Sequence, residues 1–340
     1  MGKPSAGSSQ RPDGPIPVVV MGLGIIGQEI ARAALKSPEV ELVGAIDKAP
    51  ALLGKKLSDV LGHAAGTLKV SRDLAQAAGT RQGVVVLHAT SSRLPLVMDQ
   101  LLEACAFGAS VVSTCEELSF PHLKHPELAD KLDRAAQKAG VSILGTGVNP
   151  GFVLDRLVAT ASQVMGPVHR VKATRVVDVR TRRPALQRKV GAGLSEDEFL
   201  KLVDEEQLGH VGLMESAALA ALGVGLDCDD FEEEILPVIA DEDIAGGAFP
   251  VKKGRVAGIF QSAVGLSDGQ EKVRLELTIA MGAEPVGDHV HLEGEEVVDV
   301  RVVGGVAGDR ATANLVVNAA PRVAQSQPGL LTVLDLPAGR

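Results

Sequence analysis

Tyrosine and tryptophan are absent from this 340-residue chain, and phenylalanine occurs only seven times. That scarcity argues against stacked aromatic platforms as its means of holding bases or sugars. A basic excess is also lacking. The formal net charge is −9, which opposes binding to nucleic acid or to an anionic membrane surface. Cysteines number three (Cys105, Cys115 and Cys228) and show no CxxC spacing, so neither a disulfide framework nor a zinc site is indicated. His122 and His125 sit between Pro121 and Pro126 without an HExxH companion, and read as a loop or a helix start; no metal is expected. No apolar run approaches the ~20 residues of a transmembrane helix, and no signal-peptide core is present. Ala6 stands where a myristoylation motif wants Ser or Thr. These absences point to a reducing, cytoplasmic compartment.

What is present begins with size: 45% hydrophobic residues over 340 positions suits a substantial core and two domains. The most informative stretch is Pro17–Asp47. A β-branched run, Val18-Val19-Val20 with Met21, leads into Gly22-x-Gly24-x-x-Gly27. A helical pattern follows, then a second apolar run ending on Asp47, twenty residues beyond the last glycine. Each part has a physical job in binding a dinucleotide. Gly22 permits the tight turn, Gly24 lets backbone approach a pyrophosphate, and Gly27 lets helix sit close on strand. The helix N-terminus at Ile25 and Ile26 offers free N–H groups and positive dipole charge to phosphate. Asp47 would hydrogen-bond an adenosine ribose and repel a 2′-phosphate, whereas Lys48 would meet that phosphate. NAD and NADP both stay open, with the acid tipping the reading to NAD.

Residues 1–15 are rich in Gly, Pro and Ser and read as a disordered leader. From 16 to 150, apolar runs at Val18–Met21, Leu42–Ile46, Val84–Ala89, Ser110–Thr114 and Val141–Gly145 alternate with helical patterns. Two of those helices, Leu96–Phe107 and Glu127–Ala139, stop at Gly108 and Gly140. The fold class expected is α/β: a Rossmann-type, doubly wound parallel sheet covered on both faces. Over 151–310 a second, α+β domain with a mixed or antiparallel sheet is expected. Val168–Val179, Arg255–Leu266, Glu271–Met281 and His289–Val303 are its long β-rich runs, and Glu271–Ile279 alternates polar with apolar. One helix starts at a Ser195/Glu198 capping box and runs to about Leu208. Another spans Gly212–Leu222 and stops at Gly223. Asp227–Glu234 holds six acids in eight residues and reads as a solvated loop or helix start. Ala311–Val323 looks helical until Pro321 disturbs it, and the end is an extended tail.

Ligands of a Rossmann sheet lie outside the carboxyl ends of its strands, so strand ends hold the candidate chemistry. Ala89, Thr90, Ser91 and Ser92 offer small residues and hydroxyls for the ribose–pyrophosphate chain, or simply an ST-turn. Glu116 and Glu117 follow the next strand. A carboxylate there can hold an ammonium or iminium and exchange protons, and only one of two adjacent acids points inward. The bland alternative is a pair of exposed acids favoured by a helix start. Asn149, in the turn Gly145–Phe152, can hydrogen-bond a nicotinamide amide or serve as a turn former before Pro150. Arg188 with Lys189, and His210, are weaker candidates that surface or capping roles explain as well.

The ordered set GLGIIGQEIARA (22–33), LHATSS (87–92), STCEELSFP (113–121) and GTGVNPGFVLD (145–155) resembles the family of 2,4-diaminopentanoate dehydrogenases and native amine dehydrogenases. These are relatives of the dihydrodipicolinate reductase N-terminal domain. KVGAGLS (189–195), GHVGLMES (209–216) and PGLLTVLDLP (328–337) extend the resemblance over nearly the whole chain. It implies NAD(P)-dependent oxidative deamination of an amine, reversible as reductive amination of a ketone or aldehyde with ammonia. It also implies a second domain that builds a homodimer, with residues 311–340 packing back on the first. The resemblance puts the catalytic acid on Glu116, with Glu117 as its substitute, and puts Phe152 and the helix from Thr312 at the substrate. The paired His and the Lys before a Ser-Gly-Thr turn of the biosynthetic reductases are missing. A sugar or alcohol dehydrogenase of the same layout would usually carry an acidic Lys, and none follows the Ser110–Thr114 strand. A non-catalytic nucleotide sensor is the remaining alternative.

Overall fold

The computed structural model describes residues 14–180 and 184–339. The expected leader falls mainly on residues 1–13, outside the described residues. The chain divides into two compact units. Residues 1–118, 125–145 and 312–340 form the first, and residues 119–124 and 146–311 the second.

The first unit runs β1 (Ile16–Met21), α1 (Ile25–Ala34), β2 (Val40–Ile46), α2 (Leu57–Leu61), β3 (Val70–Ser71), α3 (Leu74–Ala78), β4 (Val85–His88), α4 (Leu94–Phe107), β5 (Ser110–Ser113), α5 (Pro126–Ala139) and β6 (Ser142–Gly145). All strand pairings are parallel, in the order β6-β5-β4-β1-β2-β3. Val18, Val19 and Val20 are fully buried, as expected where helices cover both faces of a parallel sheet. Gly108 and Gly140 end α4 and α5 in the left-handed region, where a side chain would be strained. The order reverses between β1 and β4, and a parallel sheet opens its ligand crevice at such a point. Two short strands escaped the sequence patterns. One is β3, with two residues. The other is β13 (Gly329–Leu331) in the tail, which pairs parallel with β6 and makes a seventh strand.

The second unit contains α6 (Arg156–Ala161), β7 (Val168–Asp178), α7 (Pro184–Lys189), α8 (Glu196–Asp204), α9 (Leu213–Val224), β8 (Asp230–Ile239), β9 (Val256–Ser267), β10 (Gln270–Ala280), β11 (Gly287–Gly294) and β12 (Val297–Val303). Its sheet runs β12-β11-β7-β10-β9-β8 and is mixed. Among the described residues only β7 and β10 pair in parallel. The acidic run corrects an expectation here. Asp230–Glu234 is neither loop nor helix but the start of β8, an edge strand with exposed acids, and like charge on an edge discourages pairing with another chain. His289–Val303 is a hairpin, β11 with β12, rather than one run. The Ser195/Glu198 capping box is present, although α8 ends at Asp204 rather than near Leu208. Gly223 lies inside α9, whose left-handed cap is Gly225. The last helix, α10 (Gly308–Val323), contains Pro321 and continues past it.

Candidate functional site

The three glycines of the β1–α1 turn behave differently when a Cβ is added. At Gly22 (φ +92°) it would lie 2.4 Å from the Ala89 carbonyl oxygen, and at Gly27 it would lie 1.7 Å from that of Gly22. At Gly24 it would meet nothing within 4 Å. Two glycines therefore serve the fold, and the third keeps a space clear. Gly24 is the N-cap of α1, and no side chain caps the N–H groups of that helix. A pyrophosphate fits this cradle on both counts. Gly22 and Gly24 also line a groove of about 300 Å³ together with Met21, Ile46, Asp47, Lys48, Ala89 and Thr90. Arg72, Asp73, Gln100 and Glu103 complete its wall. Sequence reading missed those four, because β3 is too short for a periodic signal and Gln100 and Glu103 sit within a helix. The groove suits a dinucleotide of the NAD(P) kind.

Asp47 closes the groove at the end of β2. Its Oδ2 accepts from the Leu23 N–H at 2.7 Å and its Oδ1 from the Ala49 N–H at 2.8 Å. These bonds fix the carboxylate and leave a lone pair on each oxygen. Lys48 is exposed beside it. Ile25 is half exposed at the helix start, and Ile26 is partly buried. Thr90 Oγ1 donates to Gln100 Oε1 at 2.8 Å and touches His88 Nε2 at the same distance. Ser91 Oγ accepts the Arg93 N–H at 3.3 Å, an ST-turn, and the Ser92 carbonyl accepts the Glu117 N–H at 3.3 Å.

The paired acids lie on a 3₁₀ turn, Glu116–Ser119, directly after β5, and their surroundings separate them. Glu117 is buried at 2% exposure. Its Oε2 accepts the N–H of Leu94, first residue of α4, at 2.7 Å, and its Oε1 meets Arg93 at 3.0 Å. His125, just before α5, lies 3.1 Å from Oε2. Both oxygens are thus committed to the ends of two helices. Glu116 is only half-buried. Glu117→Ala should cost about 3 kcal/mol of stability, since it strips partners from a buried cap and ion pair; urea unfolding measures it. Burial pushes the neighbouring Cys115 thiol up to about 12, so it stays protonated and is no nucleophile.

In the second unit Asn149 anchors a network of its own. Its Oδ1 accepts from Ser216 Oγ at 3.0 Å, and its Nδ2 lies 3.1 Å from His210 Nε2. Ser216 also meets Asp155 Oδ2 at 2.9 Å, and Asp155 accepts the N–H groups of Gly151 and Arg156. Burial pushes the Asp155 carboxyl up against those bonds. Asn149 and His210 are candidates from sequence, whereas Asp155 and Ser216 end the motifs 145–155 and 209–216 with no role assigned to them. Lys124 lies 3.3 Å from the buried Glu215 in the same unit. Phe152 and Thr312 are both half-buried, Phe152 in the second unit and Thr312 in the first. Arg188 and Lys189 close α7 and are exposed.

Two enclosed imidazoles, His88 and His210, are lowered to about 4, in each case chiefly by burial. The unfolded chain then takes up protons first as acid is added. Stability is complete above about 6.5 and is lost as pH falls toward about 4. Each histidine should cost about 2 kcal/mol between about pH 7 and pH 5, measurable by denaturant unfolding at both values.

Comparison with known proteins draws these features together. The 2,4-diaminopentanoate dehydrogenase C-terminal domain matches residues 152–340, and the dihydrodipicolinate reductase N-terminus matches residues 16–114. The 2,4-diaminopentanoate dehydrogenase of Acetoanaerobium sticklandii is 31% identical over 96% of this chain and 94% of its own length. The chain belongs to the 2,4-diaminopentanoate dehydrogenase family. An amine dehydrogenase of Streptomyces virginiae is 24% identical over 95% of the chain and 96% of its own length. The amine dehydrogenase structure from Mycobacterium smegmatis superposes with a TM-score of 0.81 at 24% identity, covering 96% of this chain and 98% of that one. The likeness is one of fold, and it embraces both units.

Proposed function

We propose that this family member catalyses reversible oxidative deamination of an amine to a ketone or aldehyde and ammonia, with Glu116 as the group that holds the amine and moves its protons. As a 2,4-diaminopentanoate dehydrogenase relative it is an NAD(P)-dependent oxidoreductase acting on CH–NH₂ donors. The observation that carries the assignment of Glu116 is the division of labour after β5. Glu117 is spent on helix ends, and Glu116 keeps exposed surface at the carboxyl edge of the sheet. The dinucleotide, when bound, supplies the hydride acceptor. Glu116 takes a proton from the substrate ammonium, so that the neutral amine carbon can release hydride. It then steadies the iminium, and it gives and takes protons as water adds and ammonia leaves. Asn149, which Ser216 holds, is assigned to cofactor binding by its place in the turn after β6, and Phe152 and Thr312 to the substrate by the family resemblance.

Gly24, Ile25 and Ile26 take the pyrophosphate on the turn that Gly22 and Gly27 shape, and Ala89–Ser92 the adjoining ribose. Asp47 takes the adenosine ribose, which favours NAD, while Lys48 and Arg72 at the same rim allow NADP. The enzyme acts as a cytoplasmic homodimer built by the second unit, which light scattering checks. The deciding assay presents NAD⁺ or NADP⁺ with 2,4-diaminopentanoate, small primary and secondary amines, and alcohols. Turnover confined to amines is expected, with the higher kcat/KM for NAD⁺. Turnover of alcohols alone, or tight cofactor binding without turnover of any amine, overturns the reading.

A further inference from the structure

We propose that His289, His291 and Asp299 form a binding site for a divalent transition-metal ion of the zinc kind on the solvent-facing side of the mixed sheet. Residues two apart on a strand share a face. Asp288, Val290 and Leu292 of β11 are buried, so His289 and His291 stand together on the opposite face. β12 brings Asp299 into register with His291. His289 Nε2 lies 2.6 Å and His291 Nδ1 3.2 Å from the same oxygen, Asp299 Oδ2. One ligand atom from each residue falls within 4.8 Å of the others. A tetrahedral ion bonded at ~2.0–2.2 Å holds its ligand atoms roughly 3.2–3.6 Å apart, so modest ring rotations about the ion suffice. Two imidazoles and one carboxylate are a donor set for zinc, nickel or copper rather than for calcium.

The surroundings are those of ligands already oriented. Arg301 Nε donates to Asp299 Oδ1 at 2.9 Å, which leaves Oδ2 for an ion. His291 turns Nδ1 inward while its Nε2 lies 3.5 Å from Glu293, so the outer nitrogen has a carboxylate to bind its proton. That is the arrangement that fixes a ligating histidine's tautomer and raises its basicity. Lys172 and Arg170 of β7, in register with His291 and Glu293, are paired with Glu276 and Glu271, and Arg301 is held by Asp299 Oδ1, so Asp299 Oδ2 faces the two imidazoles as an anionic donor. On binding, the ion would take the place of the hydrogen bond between His289 Nε2 and Asp299 Oδ2, the imidazole keeping its one proton on Nδ1. Among the described strands β12 is hydrogen-bonded to β11 alone, so the ion would clip an edge strand to its sheet. None of the three ligands belongs to the proposed amine chemistry.

The test is a calorimetric titration of the untagged, full-length protein with zinc chloride, paralleled by visible spectra with Co²⁺. One ion per chain is expected, with the intense visible bands of a low-symmetry cobalt complex. Asp299→Asn and His291→Ala should each weaken zinc by about 10-fold or more, and His289→Ala/His291→Ala should abolish binding. Far-UV circular dichroism and unchanged NAD⁺ affinity identify the variants that fold. His291→Gln stands in for any that does not. Absence of stoichiometric binding in the parent, or binding retained by a folded double variant, overturns the proposal.

Discussion

Glu116→Gln is expected to lower amine oxidation by about 10²- to 10⁴-fold while NAD⁺ still binds with nearly its original affinity. The substitution keeps the size of the side chain and its hydrogen-bonding reach, and removes only the charge and the exchangeable proton. Ground-state ammonium binding weakens as well, so KM for the amine should rise while kcat falls. Glu117→Gln provides the contrast. Its carboxylate caps α4 and meets Arg93, so its loss should appear first in stability, with activity of the folded fraction largely retained. Stopped-flow turnover beside fluorescence titration of NADH separates the two effects. If Glu116→Gln turns over amines at near the parental rate, another group moves the proton.

Gly27→Ala should destroy nucleotide binding and destabilise the first unit by about 3 kcal/mol or more. Its Cβ would lie 1.7 Å from the Gly22 carbonyl oxygen, a backbone atom with no freedom to swing aside. Either α1 lifts from β1 or the turn unravels, and both spoil the phosphate cradle. Gly24→Ala should leave stability nearly unchanged. Its φ of −62° suits alanine and its Cβ meets nothing, so unfolding should change by less than about 0.5 kcal/mol. The added methyl occupies the space the pyrophosphate needs, so NAD⁺ should bind on the order of 10-fold more weakly. Thermal unfolding with and without NAD⁺ reads both variants. Equal loss of stability in the two would refute this division of roles.

Legibility followed the length of the signal. β1, with three valines before a glycine turn, and α4 and α5, with glycine caps, were readable because local pattern and tertiary role agree there. The Ser195/Glu198 box was readable for the same reason, both partners being three residues apart. β3 and β13, two and three residues long, were not, since they exist only because β2 and β6 offer an edge. The acids of Asp227–Glu234 contradict strand preference and read as a loop or helix start, and only pairing with β9 makes Asp230–Glu234 a strand. Pro321 was expected to disturb a helix that in fact continues through it.

Sequence alone determined the nucleotide turn, the parallel sheet and the presence of two acids after β5, since each is written in neighbouring residues with a fixed spacing. Spacing left those two acids equivalent, and the family resemblance put Glu116 first with Glu117 as its substitute. Only tertiary structure decided that Glu117 is consumed by Arg93, Leu94 and His125, residues 24, 23 and 8 positions away. In the same way it set His289 and His291 against Asp299, a strand apart. Spacing along a chain says which groups are available, but burial and hydrogen-bond partners decide which of them remain able to act.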